Sequence, residues 1–390
     1  MEPSLPELTR ASPSPSPSHT VSGEVGGRGP PITINELVQL AHIGIPNTQV
    51  TWSRVTMTSD KWIAVRHDNR TDLSAKRAVV TVLSPIEGTI SYAGSTSADS
   101  VLMNQSQPLI ALKAGQRFEV FNLDTKELIS KIKFHELVIF WTWLTTDVIA
   151  MVTDSAVYHW SIHKETAPTE QVFLRHNRLA FTEIVSYKAD PSLKWLALTG
   201  LTPEDERISG VTQLYYVDEE ITQCISAHAV CFSSYHFPGN PYPSTVFCVS
   251  SREAQDHGKV HVIELGPYKT GNFAPRNCYD HLHFLDDLER YDFPISLQIS
   301  VEYGLLFVVT KYGYLYMCDM ETAMCLCCTR VAIDVIFASA LNTTTQGILA
   351  ITRGGQVITV DLKKDGFISY LREQVRTAYR ANRFEKVICP

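Results

Sequence analysis

The chain of 390 residues has no cysteine before Cys224, although nine follow from there on. An odd number confined to the second half cannot staple a whole fold. A disulfide framework is therefore excluded, and a reducing compartment, most simply the cytoplasm, is expected. Long apolar runs are missing too. None approaches the roughly 18 residues that a membrane-spanning helix needs, and Met1 to Thr20 lacks the apolar stretch of a secretory signal. Without a secretory route, the N-x-Ser/Thr sequons at Asn69, Asn104 and Asn342 carry no glycan. Cations are not in excess either. The formal net charge is −7, which argues against nucleic acid as a partner, because phosphate backbones attract Lys and Arg.

Catalytic signatures are absent as well. Thirteen histidines are scattered without a His-Glu-x-x-His pattern, and no Gly-x-Ser-x-Gly or Walker-type loop occurs. His281-Leu282-His283 followed by Asp286-Asp287 has no third ligand at a metal-binding spacing and reads as a surface loop. Cys325 and Cys327 alternate along a strand pattern, so they share one face while Cys328 takes the other. With Cys318 they read as small buried thiols. Gly26-Gly27 and Gly354-Gly355 read as linker and turn glycines. No enzyme activity, cofactor or metal is expected.

What the chain does have is 44% hydrophobic residues, ample for a core. Residues 1–31 stand apart. Ser12-Pro13-Ser14-Pro15-Ser16-Pro17-Ser18 alternates, and Gly23 to Pro31 is rich in Gly and Pro. Such composition buries too little apolar surface to offset its ordering entropy, so a disordered tail with phosphorylatable Ser-Pro pairs is expected. From Ile32 a hairpin signal recurs: an apolar run, a tight turn, then an alternating run. Clear copies are Leu109–Ala114 with Phe118–Phe121, Val148–Val152 with Val157–Trp160, Leu306–Thr310 with Leu315–Cys318, and Ile348–Thr352 with Val357–Val360. Weaker copies turn near Lys76, Gly210 and Gly258. Seven turns spaced roughly 40 to 55 residues apart have the period of four-stranded propeller blades. A single blade cannot bury both faces of its sheet, whereas radial stacking does. The expected fold is all-β: a seven-bladed β-propeller over 32–366, a disordered tail at 1–31, and a helical stub at 367–390. In that stub, Val375, Ala378, Tyr379 and Asn382 fall on one helical face, giving one or two turns that leave the propeller. Arg372, Arg376, Arg380 and Arg383 read as its solvated face.

Several segments resemble the terminal domain of clathrin heavy chains. They include Ser59-Asp60-Lys61-Trp62, Ala98-Asp99-Ser100, Ile110-Ala111-Leu112-Lys113-Ala114-Gly115 and Ala156-Val157-Tyr158-His159-Trp160-Ser161. Lys194-Trp195-Leu196, Asp292-Phe293-Pro294 and Thr310-Lys311-Tyr312-Gly313-Tyr314 follow in the same order. The resemblance runs colinearly from about Glu36 to about Tyr370. It implies a non-catalytic propeller of the vesicle coat that captures extended peptides of endocytic adaptor and accessory proteins, in coated pits and coated vesicles. The membrane would be reached only through those adaptors. The family's long helical leg is not matched from Arg372 onward, so trimerisation and clathrin light chain binding are not expected.

The resemblance also implies sites. In the groove between blades one and two, which takes the clathrin-box peptide, the matching positions are Ile110, Arg117, Glu119, Phe121, Lys126 and Leu128. Ile110 and Phe121 keep the apolar floor and Lys126 keeps one cation. Leu128 stands where the family has a second lysine, and Glu119 where it has glutamine. Arg117 replaces a threonine and restores the lost charge. A site at the top of the propeller, for a tryptophan-bearing motif, matches Trp52, Glu183, Val185 and Leu201. There Trp52 would fill the pocket meant for a ligand aromatic, and Glu183 would repel acids. A groove between blades four and five matches Trp195, Leu214, Glu219, Ile221 and Gln223, with Glu219 reversing a family arginine. Glu36 represents a fourth region at the junction of first and last blades. Without the resemblance, all these positions read simply as strand and turn residues of a propeller. The changes at Glu119, Leu128, Glu183 and Glu219 leave open a scaffold or decoy with altered peptide preference.

Overall fold

A computed structural model of the chain describes residues 30–68, 78–204, 207–253, 257–266, 277–283, 291–373 and 378–388. Strand β1 (Ile32–Gln39) comes first, and seven strand groups follow. Group one is β2 (Val55–Thr56), β3 (Ile63–Asp68), β4 (Ala78–Leu83) and β5 (Ile90–Thr96). Group two is β6 (Ser100–Met103), β7 (Leu109–Ala114), β8 (Arg117–Asn122) and β9 (Leu128–Lys133). Group three is β10 (Phe140–Trp143), β11 (Val148–Val152), β12 (Ala156–Ser161) and β13 (Thr169–Leu174). Group four is β14 (Glu183–Ala189), β15 (Trp195–Glu204), β16 (Arg207–Tyr216) and β17 (Ile221–Ser226). Group five is β18 (Ala229–Tyr235), β19 (Ser244–Arg252), β20 (His257–Gly266) and β21 (Asn277–His283). Group six is β22 (Pro294–Ser300), β23 (Leu305–Thr310), β24 (Tyr314–Asp319) and β25 (Cys325–Arg330). Group seven has only β26 (Ile336–Leu341), β27 (Ile348–Thr352) and β28 (Gln356–Leu362). Helices α1 (Lys364–Glu373) and α2 (Ala378–Ile388) end the described chain.

Each group is one antiparallel four-stranded sheet, and the seventh is completed by β1 in the order β1-β28-β27-β26. The seven sheets are the blades of a β-propeller. The four clear hairpins of the sequence are the middle-strand hairpins of blades two, three, six and seven. Middle strands are covered on both faces, so their sequences run apolar without a break: β23 and β24 are buried at every position. Outer strands such as β5 alternate between exposed and half-buried positions.

One apolar cluster fills each of the seven interfaces between neighbouring blades. Between blades two and three, Phe118 meets Trp141 and Trp160 edge-on, with ring centroids 5.5 and 6.4 Å apart. The ring closes through β1, whose Ile32, Ile34 and Glu36 lie opposite Leu362, Val360 and Ile358 of β28. A second closure joins blade one to blade seven, where Asp60 Oδ2 accepts from the Thr343 backbone N–H at 2.8 Å.

Three expectations need correction. In blade four, β15 and β16 stay paired as far as Glu204 and Arg207, so Gly210 is a strand residue rather than a turn residue. Glycine is required there because a Cβ would stand 2.2 Å from the Ala227 carbonyl oxygen. The carboxy-terminal helices begin earlier than expected and fold back rather than leave. Phe367, Ile368 and Leu371 of α1, with Ala381 and Phe384 of α2, join the cluster between blades six and seven. Arg372 pairs with Glu385 at 2.7 Å and Arg383 pairs with Glu321, so these two arginines are not a free solvated stripe. Asn382 is exposed; Val375, Arg376 and the side chains of Ala378, Tyr379 and Arg380 lie outside the described residues. Finally, Cys325 and Cys327 do not share a face. A β-bulge between Met317 and Cys318 sets Cys318 opposite Cys325 and Met317 opposite Cys327. The extra residue, Leu326, reverses the alternation, so Cys325 and Cys328 face blade five while Leu326 and Cys327 face blade seven. Residues 1–29, Lys76 and the side chains of the His281–Asp287 segment lie outside the described residues. Among the described residues no group of three metal-ligating side chains assembles.

The interface between blades three and four holds a titratable contact. His159 Nε2 lies 3.0 Å from the Tyr187 hydroxyl, and burial pushes the His159 pKa down to about 4. The folded protein therefore keeps His159 neutral where the unfolded chain is already protonated. Stability from this group is whole above about pH 6.5 and falls as pH drops toward 4, by up to about 3 kcal/mol. Urea unfolding from pH 7.5 to 4 will show this loss, and His159→Gln will reduce the slope between pH 6.5 and 4.

Candidate functional site: clefts between the blades

Among the described residues, the interfaces are not equally filled. Those between blades one and two and between blades four and five each bury seven apolar residues. The other five bury from ten to twenty. An interface short of side chains leaves space at its outer edge, and between blades one and two that space is a cleft of about 280 Å³.

The cleft follows from strand register. Ile110, Phe121 and Leu128 are direct partners across β7, β8 and β9. Cross-strand partners point to one side of a sheet, so they form a row facing blade one. Ile110 is buried, Phe121 half-buried, and Leu128 is 43% exposed. Leu112, Glu119 and Lys131 form the next row, and Ala114, Arg117 and Lys133 the third. The residues between them, Phe118 and Val120, point the other way into the cluster with blade three. Val80 of β4 and Tyr92, Gly94, Ser95 and Thr96 of β5 line the opposite wall. Gly94 makes room for Tyr92, since a Cβ at position 94 would stand 2.2 Å from the Tyr92 hydroxyl oxygen.

Of the six positions named for this groove, Ile110, Phe121 and Lys126 line the cleft. Leu128 continues the floor row at its rim. Arg117 lies at the far end of β8, on the order of 13 Å from Phe121 by strand rise, with Glu119 between them. The sequence reading missed Lys131 and Lys133, which are exposed on β9 on the same side as Glu119 and Arg117. The signal was there in Leu128-Ile129-Ser130-Lys131-Ile132-Lys133, where the two isoleucines pack toward blade three and the lysines turn away. This side of blade two thus carries Arg117, Lys131 and Lys133 with Glu119, and its 122–128 turn adds Lys126 flanked by the exposed carboxylates of Asp124 and Glu127. Tyr92, on the facing blade, was missed as well.

At the interface between blades four and five the strand register repeats this arrangement of rows. Trp195, Tyr216 and Ile221 form one row, and Ala197, Leu214 and Gln223 the next. Trp195 stacks on Tyr216 with centroids 4.4 Å apart and planes 24° apart. Leu214 is buried in the cluster, and the buried Gln223 Oε1 has no hydrogen-bond partner. The turn at its rim is acidic. Glu219 and Glu220 are exposed, and Asp218 pairs with Lys194 and accepts from the Tyr216 hydroxyl at 3.1 Å.

The remaining named positions lie elsewhere in the ring. Glu183 and Leu201 are partners in β14 and β15, and Val185 is the extra residue of a bulge between Ile184 and Ser186. Trp52 precedes β2 in blade one and is 49% exposed, so it does not plug a pocket. Glu36 accepts from Gln356 Nε2 at 2.8 Å within blade seven.

Lys126 adopts a left-handed backbone, with φ 60°. The position recurs in the equivalent turns of other blades, at Ala167 and Ala323, and blade one places Gly88 there with φ 68°. The conformation thus belongs to the turn, and a side chain there costs on the order of 1 kcal/mol. Lys126→Gly will raise stability by roughly that amount in chemical denaturation. A loss of stability would show that the lysine side chain itself holds the turn.

No family model matches the chain. Clathrin heavy chain 2 of Homo sapiens is 35% identical over 343 residues, 87% of this chain and 20% of that protein. Probable clathrin heavy chain 1 of Caenorhabditis elegans is 36% identical over 349 residues, 89% of this chain and 20% of the relative. Clathrin heavy chain of Drosophila melanogaster is 34% identical over 342 residues, again with 87% and 20% coverage. The chain thus spans about one fifth of the length of the relatives it matches. Among solved structures, a chain of a mitotic checkpoint complex superposes with a TM-score of 0.55 at 11% identity, covering 88% of this chain and 98% of the other, a likeness of fold alone. A match over nearly nine tenths of its residues identifies the chain as a homologue of clathrin heavy chains over about one fifth of their length.

Proposed function

We propose that this propeller is a non-catalytic, peptide-capturing module of a clathrin-like vesicle coat, and that its principal site is the cleft between blades one and two. The observation that carries the reading is the cleft itself: an apolar row of Ile110, Phe121 and Leu128 beside a rim bearing Lys126 and, along β9, Lys131 and Lys133. An extended peptide places alternate side chains on one face. Its apolar residues would enter the floor row and its acidic residues would meet the lysines. Adaptor and accessory proteins of cytoplasmic coated pits and vesicles are the partners this implies, with the membrane reached through them. Lys131 stands one row from Leu128 and offsets the lysine that the resemblance leads one to expect at 128. The blade four–five groove, with its acidic rim, disfavours the same peptides, so this chain would use one principal acidic-peptide groove.

The test is fluorescence anisotropy with a labelled clathrin-box peptide. Binding is expected in the micromolar class, since short extended ligands bury little area, and it should weaken as salt rises. Phe121→Ala should weaken it at least tenfold, about 1.4 kcal/mol. Lys131→Ala should mainly steepen the loss for peptides of higher negative charge. Absence of saturable binding, or an unchanged Kd in folded Phe121→Ala, would overturn the assignment. Tighter binding of a neutral version of the peptide would favour a propeller with redirected preference.

A further inference from the structure

Blade six carries four thiols on one hairpin. Cys318 of β24 lies directly opposite Cys325 of β25. The hairpin is closed by the Asp319 N–H donating to the Met324 carbonyl at 2.9 Å. Cys318 and Cys325 are the next pair inward from that bond. Antiparallel neighbours have Cα atoms about 4.5 to 5.5 Å apart, within the range a disulfide spans. Both side chains face blade five because of the bulge at Leu326. Beside the Cys318 thiol, Cys325 is held below the ordinary thiol range and Cys318 is pushed well above it, and the Cys325 Sγ–H donates to the Cys327 carbonyl at 3.5 Å. Cys325 is half-buried on the outermost strand of its sheet, while Cys318 is fully buried.

A second facing pair provides contrast. Cys231 and Cys248 are opposite one another in β18 and β19. Both are buried, β19 is an inner strand of its sheet, and the neighbouring Cys231 together with burial raises the Cys248 thiol. That pair has proximity without access. Thiolate character and access together set susceptibility to peroxide.

We propose that Cys325 is a site of reversible oxidation by hydroperoxides, and that Cys318 is its resolving partner, closing a disulfide across the β24–β25 hairpin. The Cys325 thiolate attacks one peroxide oxygen. The O–O bond breaks, Cys325 becomes a sulfenic acid, and the other oxygen leaves and takes up a proton as water or alcohol. The Cys318 sulfur then attacks the sulfenic sulfur. The S–O bond breaks, the Cys318 proton joins the departing hydroxide as water, and the S–S bond forms. The two thiols have been oxidised by two electrons and the peroxide reduced by two. The bond would clamp a strand whose other face, through Leu326 and Cys327, seats α1, and the Tyr370 hydroxyl of α1 donates to the Leu326 carbonyl at 3.4 Å. The clamp would therefore fix the seat of the carboxy-terminal helices.

The experiment treats the whole chain with hydrogen peroxide, blocks free thiols and digests without reduction, using a protease that cuts after Glu321 to separate the two cysteines. The expected product is a Cys318–Cys325 linked peptide pair that reducing agent dissolves, with Cys231 and Cys248 still recovered as free thiols. Cys325→Ser should abolish the link and leave Cys318 reduced. Cys318→Ala should let a sulfenic acid persist on Cys325, trapped by a dione reagent. If that variant does not fold, trapping at Cys325 in the parent chain during the first seconds of oxidation serves instead. The proposal is overturned if Cys318 and Cys325 both stay reduced at a dose that oxidises exposed Cys278, or if Cys231–Cys248 closes first.

Discussion

Everything in this molecule depends on closing the ring. A twisted four-stranded blade has two faces to cover and no core of its own. Each face is covered only by the next blade, so the seven apolar clusters form a circle that has to be completed. Completion rests on β1 pairing with β28, far apart in sequence, and on Asp60 of blade one bonding the Thr343 turn of blade seven. Pairing the first strand with the last also places Pro31, just before β1, beside the start of α1: the Lys363 N–H donates to the Pro31 carbonyl at 2.8 Å.

Closure explains why clefts can exist at all. Seven blades held in a ring cannot all collapse onto their neighbours. Where an interface carries small residues, such as Ala64, Ala98 and Val101 between blades one and two, the space stays open at the rim instead of being closed by inward movement. Large residues fill the equivalent space elsewhere, as Trp141, Trp143 and Trp160 do between blades two and three. Groove position thus follows from side-chain volume at each interface, and groove preference from the charges on the outermost strand and its turn. Blade two presents Lys126, Lys131 and Lys133 there, alongside Asp124 and Glu127, whereas the turn of blade four presents Asp218, Glu219 and Glu220.

Much of this was legible in the sequence because middle strands are buried on both faces. Their unbroken apolar runs, punctuated by Gly115, Gly313 and Gly354-Gly355, mark the hairpins from which the blade period follows. The turn of blade four was misplaced because Gly210 serves close packing against Ala227 rather than chain reversal. The bulge at Leu326 was invisible to a simple alternation, since one extra residue swaps faces without a compositional mark. The helices looked like a departing segment because their anchors, Phe367 and Phe384, lie 17 positions apart in the chain and meet only after α2 folds back, with ring centroids 4.8 Å apart. In the cleft, the floor residues were readable from resemblance. The contribution of Lys131 was not, because it depends on which face of β9 looks toward blade one.

The central claim is that an under-filled interface between blades one and two is the place where a partner peptide docks. Hydrogen–deuterium exchange with and without saturating apolar–acidic peptide tests it most directly. The account predicts added protection confined to β5, β8, β9 and the 122–128 turn, with the blade four–five edge at β17 unchanged. Protection centred on β17, or spread evenly around the ring, would contradict it.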